Sequence, residues 1–172
     1  QKSPIHKLYH DFEYGFPIHD DNLLFERFVL EINQAGLSWL TILKKKDSFF
    51  QAYSGFEIKK VARYGDKQIN RLLNDSGIIR NRLKINAAIF NAKRIVQLQK
   101  EYGSFEAWLD QHHPLPIEKW VKVFKAEFKF VGGEICNEFL MSTGYLKGAH
   151  DEQCVIYKKV LKQKPRWHTH PK

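Results

Sequence analysis

Apolar residues recur at three- and four-residue intervals along almost the whole of this chain, and that spacing confines the fold to packed helices. Leu23, Leu24, Phe25, Phe28, Val29 and Ile32 form one such run, with Asp20 or Asp21 as its expected cap. Further helices are expected over Leu40 to Tyr53, Ile58 to Arg63 and Asp66 to Leu73, separated by Gly55 and Gly65, which suit chain reversals. A longer helix, from about Asn81 to Lys100, carries Ile85, Ala88, Ile89, Ala92, Ile95 and Val96 on one face. After the break at Pro114 and Pro116, Ile117 to Phe130 and Glu134 to Met141 complete the set. No alternating apolar-polar run is long enough for a sheet, so the fold class is all-α. A chain of 172 residues with 43% hydrophobic content can bury one good core. Residues 1–157 are expected to form a single helical unit, followed by a frayed basic tail over 158–172.

The formal charge of +9 points to a polyanionic partner, because clustered Lys and Arg release condensed counterions from a phosphate backbone. Charge alone would equally suit RNA or an anionic membrane surface. No stretch approaches the roughly 18 consecutive apolar residues of a membrane span, and no apolar signal-peptide core is seen, so a cytoplasmic location without membrane contact is expected. The two cysteines, Cys136 and Cys154, do not make a disulfide framework, which agrees with a reducing compartment.

Three constellations could carry chemistry. In Glu31-Ile32-Asn33-Gln34-Ala35-Gly36-Leu37-Ser38-Trp39 a carboxylate and an indole flank a Gly-Leu step within an apolar context. A carboxylate buried there needs a cation from the protein or from a substrate. The plainer reading puts Glu31 in solvent and Trp39 in the core. The segment from Asn70 to Ile85 reads as two helices joined through Asn74-Asp75-Ser76-Gly77, with Gly77 expected at positive φ and Arg80, Arg82 and Lys84 beside a helix N-terminus suited to phosphate. On periodicity alone, a plain turn with a solvated basic face is the commoner reading. His150 and Cys154, at i and i+4, would share one face of a helix as metal ligands if their segment is helical. Two ligands do not make a site. Lys44-Lys45-Lys46 is either a set of phosphate contacts or, more commonly, a solvated charge run.

Taken together, Tyr9-His10-Asp11-Phe12-Glu13-Tyr14-Gly15, the segment from Gln34 through Lys46, Asp75-Ser76-Gly77-Ile78-Ile79-Arg80-Asn81-Arg82 and Phe128-Lys129-Phe130-Val131-Gly132 resemble the DNA-3-methyladenine glycosylase I family in the same order. The resemblance runs from about Tyr9 to Cys154. It implies a helix-hairpin-helix fold, with the hairpin unit at about 66–100 gripping the DNA backbone through Gly77, Arg80, Arg82 and Lys84. It further implies that Gly36 and Leu37 fill the gap left in the base stack, although Leu37 as ordinary core is nearly as common. Trp39 would be the stacking platform for a flipped base, with Tyr9 and Tyr14 beside it and Glu31 as reader and catalytic group.

The expected substrate is alkylated double-stranded DNA, the expected product free 3-methyladenine, with 3-methylguanine a further candidate, and the enzyme a monofunctional monomer. A cationic alkylated purine leaves as a neutral base, so no general acid is needed, and the predicted helix from Asn81 to Lys100 contains no Asp or Glu. The family's structural zinc would be held by His10, His150, Cys154 and a Cys upstream of Tyr9. That last residue is not in this sequence, which begins at Gln1, so either N-terminal residues are missing from it or the lineage lacks the metal. The family also usually has Trp where this chain has Tyr14. Two other readings stay open at this stage, a non-enzymatic DNA-binding module and a zinc-dependent hydrolase.

Overall fold

A computed structural model describes residues 3–169. Among them every regular element is helical: α1 (Pro4–Phe12), α2 (Asp21–Gln34), α3 (Trp39–Lys44), α4 (Lys46–Ala52), α5 (Ile58–Val61), α6 (Asp66–Leu73), α7 (Arg82–Tyr102), α8 (Phe105–His112), α9 (Ile117–Glu127), α10 (Gly133–Ser142), α11 (Tyr157–Lys162) and α12 (Arg166–Thr169), with a 3-10 turn at Ser54–Phe56. None of these helices is long and apolar enough to cross a membrane.

The centre of the fold is α2, packed by α3, α5, α7, α8 and α10. Residues 24–33 are all buried. Asp20 caps the helix, accepting from the Leu23 N–H at 2.9 Å. Asp21 reaches across instead: its carboxylate accepts from the N–H groups of Phe105 at 2.8 Å and Glu106 at 3.1 Å and from the Gln99 side chain at 2.7 Å. One carboxylate thereby satisfies orphan donors at the start of α8 and ties α2 to the end of α7. Phe28 packs in the aromatic core against Phe124, Phe128 and Phe139, with ring centroids 5.1–5.8 Å apart.

The all-α class and most expected helices are present, and the differences have local causes. The expected helix from Leu40 to Tyr53 is two, broken at Lys45, whose φ of −102° and ψ of 2° leave helical geometry. Pro4–Phe12 and Phe105–His112 are helices that the apolar spacing did not separate from their surroundings. Within the described part of the expected tail, α11 and α12 are folded and packed. Val160 is buried, and the Arg166 guanidinium grips Asp110 through two bonds of 2.7 and 2.8 Å, with Glu106 at 3.1 Å. His170 lies outside the described residues.

The connection between α6 and α7 reverses the chain without the positive φ expected of Gly77. Glycine is needed there for close approach: a Cβ would meet Ser48 Cβ at 2.9 Å and Asp75 Oδ1 at 3.0 Å. The Gly77 N–H donates to Asp75 Oδ1 at 2.8 Å, and Lys45 Nζ donates to the Ser76 carbonyl at 2.9 Å. Gly77→Ala is therefore expected to destabilise the protein by about 1–3 kcal/mol, measured as a shift in urea midpoint at unchanged slope.

Candidate active site

The late turns of α2, the start of α3, α1 and one face of α10 enclose a cavity of about 460 Å³ whose lining includes Tyr9, Tyr14, Glu31, Trp39 and Glu138. All four side chains expected to form a base pocket are thus in one place. Glu31 is 4% exposed and, among the described residues, makes no hydrogen bond or ion pair. Burial is the main force on its carboxyl group. Arg27, one turn earlier on α2, opposes that force, whereas the charge of Glu138 adds to it, and the pKa is pushed up to about 8.

Arg27 itself is occupied. Its guanidinium donates to the Ser142 carbonyl at 3.1 Å, faces Glu13 at 3.5 Å and lies 5.0 Å from the Tyr9 ring centre. The Tyr9 ring sits 5.1 Å from Trp39 and 5.6 Å from Tyr14. Tyr9 Oη, Trp39 Nε1 and His6 Nδ1, all in residues that line the cavity, are buried without a hydrogen-bond partner among the described residues. Burial holds the Tyr9 and Tyr14 hydroxyls far above the usual phenol range, so both remain donors. Tyr14 uses its O–H on Glu138 Oε2 at 3.2 Å. A cavity with an uncompensated carboxylate, unpaired donors and aromatic faces is built for a planar ligand that carries positive charge and hydrogen-bonding edges.

Beside this cavity, Gly36 turns the chain at φ +79° with nothing within 4 Å of a Cβ, so conformation alone explains the glycine. Leu37 follows at 39% exposure, on the lip of an adjoining cavity that also involves Gly132, Gly133 and Glu134. It is not core.

Lys84 is a correction. Instead of facing outward beside the hairpin, it is buried and donates to the carbonyls of Asn33 at 2.8 Å and Ala35 at 2.7 Å, where α2 ends. Gly77 is a second correction, its N–H being taken by Asp75. Arg80 and Arg82 are exposed. Among the described residues, the main-chain N–H groups of Ile79, Arg80, Arg82 and Leu83 have no acceptor. Of the lysine run, Lys45 holds the α6–α7 connection through the Ser76 carbonyl and Lys46 pairs with Glu13 at 2.6 Å and Glu26 at 3.7 Å. Only Lys44 is exposed.

His10, His150 and Cys154 bring three donor atoms within 4.8 Å of one another. A turn does this, not the helix considered from spacing: residues 150–156 are irregular, and Asp151 accepts from the N–H groups of Gln153 and Cys154. The Tyr14 carbonyl can only accept, so the 2.6 Å contact with His150 Nε2 places that proton and leaves Nδ1 facing Cys154 Sγ at 3.8 Å. The Asp11 carboxylate does the same for His10, holding Nδ1–H at 2.8 Å and leaving Nε2 3.8 Å from the same sulfur. Lone pairs converging while the opposite ring nitrogens bind oxygen acceptors is the arrangement that metal-ligating histidines need. The residues present fit a zinc ion.

Sequence reading missed Glu138, Arg27 and His6. Glu138 had a signal, since Glu134 and Glu138 stand four apart on one helix. Arg27 and His6 had none, because nothing local distinguishes a cation behind a carboxylate or a ring on a pocket wall.

The family model described as methyladenine glycosylase matches residues 1–123. DNA-3-methyladenine glycosylase 1 of Escherichia coli (strain K12) is 34% identical over 91% of this chain and 93% of its own length. DNA-3-methyladenine glycosylase of Haemophilus influenzae is 34% identical over 79% of this chain and 84% of its own. The fold is similar to that of 3-methyladenine DNA glycosylase I from Staphylococcus aureus, a structure concerned with 3-methyladenine recognition, with TM-score 0.82, 31% identity, and coverage of 91% of this chain and 93% of that one.

The raised pKa of Glu31 has a consequence for stability. Between the ordinary carboxyl value of 4.5 and about 8, the folded state holds a proton that the unfolded state has lost, so stability falls as pH rises through this window and levels off above it. Glu31→Gln removes this dependence. Urea denaturation at pH 5 and pH 8 is expected to show the variant gaining on the unmutated protein by a few kcal/mol at the higher pH.

Proposed function

The chain belongs to the methyladenine glycosylase family, and from that premise we propose that it removes 3-methyladenine from alkylated DNA by hydrolysing the N-glycosidic bond. The observation that carries this reading is Glu31, buried at the cavity floor without an ion-pair partner. A cationic methylated adenine supplies the missing charge and offers amine donors to the carboxylate, whereas ordinary adenine offers only the donors. Discrimination follows from charge.

The chemistry asks little of a proton donor. The alkylated base already carries the positive charge that makes it a good leaving group, so the protein binds, orients and excludes water. Trp39 and Tyr9 give the flipped base aromatic faces, and their unpaired Nε1–H and O–H give it donors. Leu37 fills the vacated position in the base stack. The helix-hairpin-helix unit of α6 and α7 holds the phosphate backbone of double-stranded DNA through the main-chain N–H groups of Ile79, Arg80, Arg82 and Leu83, which have no acceptor among the described residues, and the side chains of Arg80 and Arg82. Neither a purely DNA-binding module nor a zinc hydrolase accounts for the unpaired carboxylate.

In this reading His10, His150 and Cys154 would hold a structural zinc. Bound there, the metal would supply a cross-link between α1, which carries Tyr9, and the loop after α10.

Methylated duplex DNA incubated with the protein is expected to release free 3-methyladenine, seen by chromatography, with release reduced at least about a hundredfold in Glu31→Gln. No release by folded protein would overturn the reading. Cys154→Ser, or prolonged chelation, is expected to lower the melting temperature before it lowers the rate measured on protein that remains folded. A rate lost while the melting temperature holds would assign the metal to the chemistry instead.

A further inference from the structure

We propose that Glu138 is a second catalytic carboxylate of this site, facing the sugar of the flipped nucleotide and the water that attacks it, an inference that rests on the glycosylase reading above. Glu134 and Glu138 lie on one face of α10, four residues and so about 6 Å apart along its axis. Glu134 is exposed and lines both the base cavity and the adjoining one beside Leu37. Glu138 is half-buried and lines the base cavity alone, and Glu31 is buried. The three carboxylates therefore descend from the lip to the floor. A nucleotide entering past Leu37 puts its base against Glu31, Tyr9 and Trp39, and its sugar trails at the level of Glu138.

Three features suit Glu138 to that position. It forms no ion pair among the described residues, so its charge is available to a ligand. Tyr14 fixes one of its oxygens with an O–H bond of 3.2 Å, which orients the other. Its field reaches Glu31, whose proton it helps to retain, so the two groups act within one electrostatic unit.

The reaction balances without any further reagent. The C1′–N9 bond breaks and its electron pair enters the cationic base, which leaves as neutral 3-methyladenine. The sugar becomes oxocarbenium-like, and a carboxylate beside it opposes the developing charge. Water oxygen bonds to C1′, and the proton it loses passes to Glu138 and then to solvent, leaving an abasic deoxyribose. Glu31 serves the base and Glu138 the sugar.

The test compares binding to duplexes that carry either a cationic pyrrolidine or a neutral tetrahydrofuran in place of the nucleotide, alongside single-turnover excision and binding of free 3-methyladenine. For Glu138→Gln, the preference for the cationic over the neutral analogue is expected to fall about tenfold or more, and the single-turnover rate about a hundredfold. Binding of free 3-methyladenine is expected to change by much less than the single-turnover rate, and Glu138→Asp should restore the analogue preference. An unchanged analogue preference, or weakened 3-methyladenine binding at an unchanged rate, would overturn the assignment and make Glu138 a base reader or a scaffold. Release of 3-methyladenine by the unmutated protein tests the glycosylase reading separately, because the analogue preference is measured without turnover.

Discussion

The structure is organised by the burial of one helix that carries three ionisable side chains into the interior. Residues 24–33 of α2 are all removed from solvent, and Glu26, Arg27 and Glu31 are among them. A buried charge is tolerated only with partners. Arg27 finds its partners in the Ser142 carbonyl, Glu13 and the face of Tyr9, and Glu26 finds Lys46 at 3.7 Å. The helix at the centre of the hydrophobic core is thus also a column of electrostatics, and its neighbours match it. Glu31 is the member of that column with no hydrogen-bond or ion-pair partner among the described residues.

That incompleteness is the basis on which the cavity is proposed to select a cation. In the free protein near neutral pH, Glu31 tends to keep its proton, because the cost of a bare buried carboxylate exceeds what Arg27 returns. A cationic base reverses the balance by bringing its own counter-charge. A neutral base cannot, and would leave Glu31 either protonated and weakly bonded or ionised and unpaired. The same arithmetic explains why the walls are aromatic: indole and phenol faces attract cations and lose little when stripped of water. The protein spends folding stability to hold this state, as the pH dependence of Glu31 implies.

Much of this was legible in the sequence because it is local. The run from Leu23 to Ile32 has helical spacing, Asp20 has the chemistry of a cap, and Glu31, Gly36, Leu37 and Trp39 are close enough in sequence for their convergence to be foreseen. The chain reversal between α6 and α7 was foreseen for the same reason, although Gly77 is required by Ser48, 29 positions earlier, and not by its own φ. What was not legible depends on contacts between distant segments. Lys84 has the composition of a phosphate ligand, yet the end of α2 captures its ammonium group. Arg166 was assigned to a frayed tail, and Asp110, 56 positions away, makes it part of the fold. Periodicity carries no information about which exposed-looking cation will find a buried acceptor.

The Lys84 capture also joins the two halves of the site. Its ammonium donates to carbonyls on either side of Gln34, at the point where α2 gives way to Gly36 and Leu37. Lys84 itself stands in the first turn of α7, directly after the hairpin. Burial lowers its pKa and removes it from water, so the bonds it makes are strong and expensive to break. The α6–α7 connection and the Gly36–Leu37 turn beside the cavity are consequently held in fixed register. Lys84 acts in the fold as the tie between them, its ammonium group committed to the end of α2.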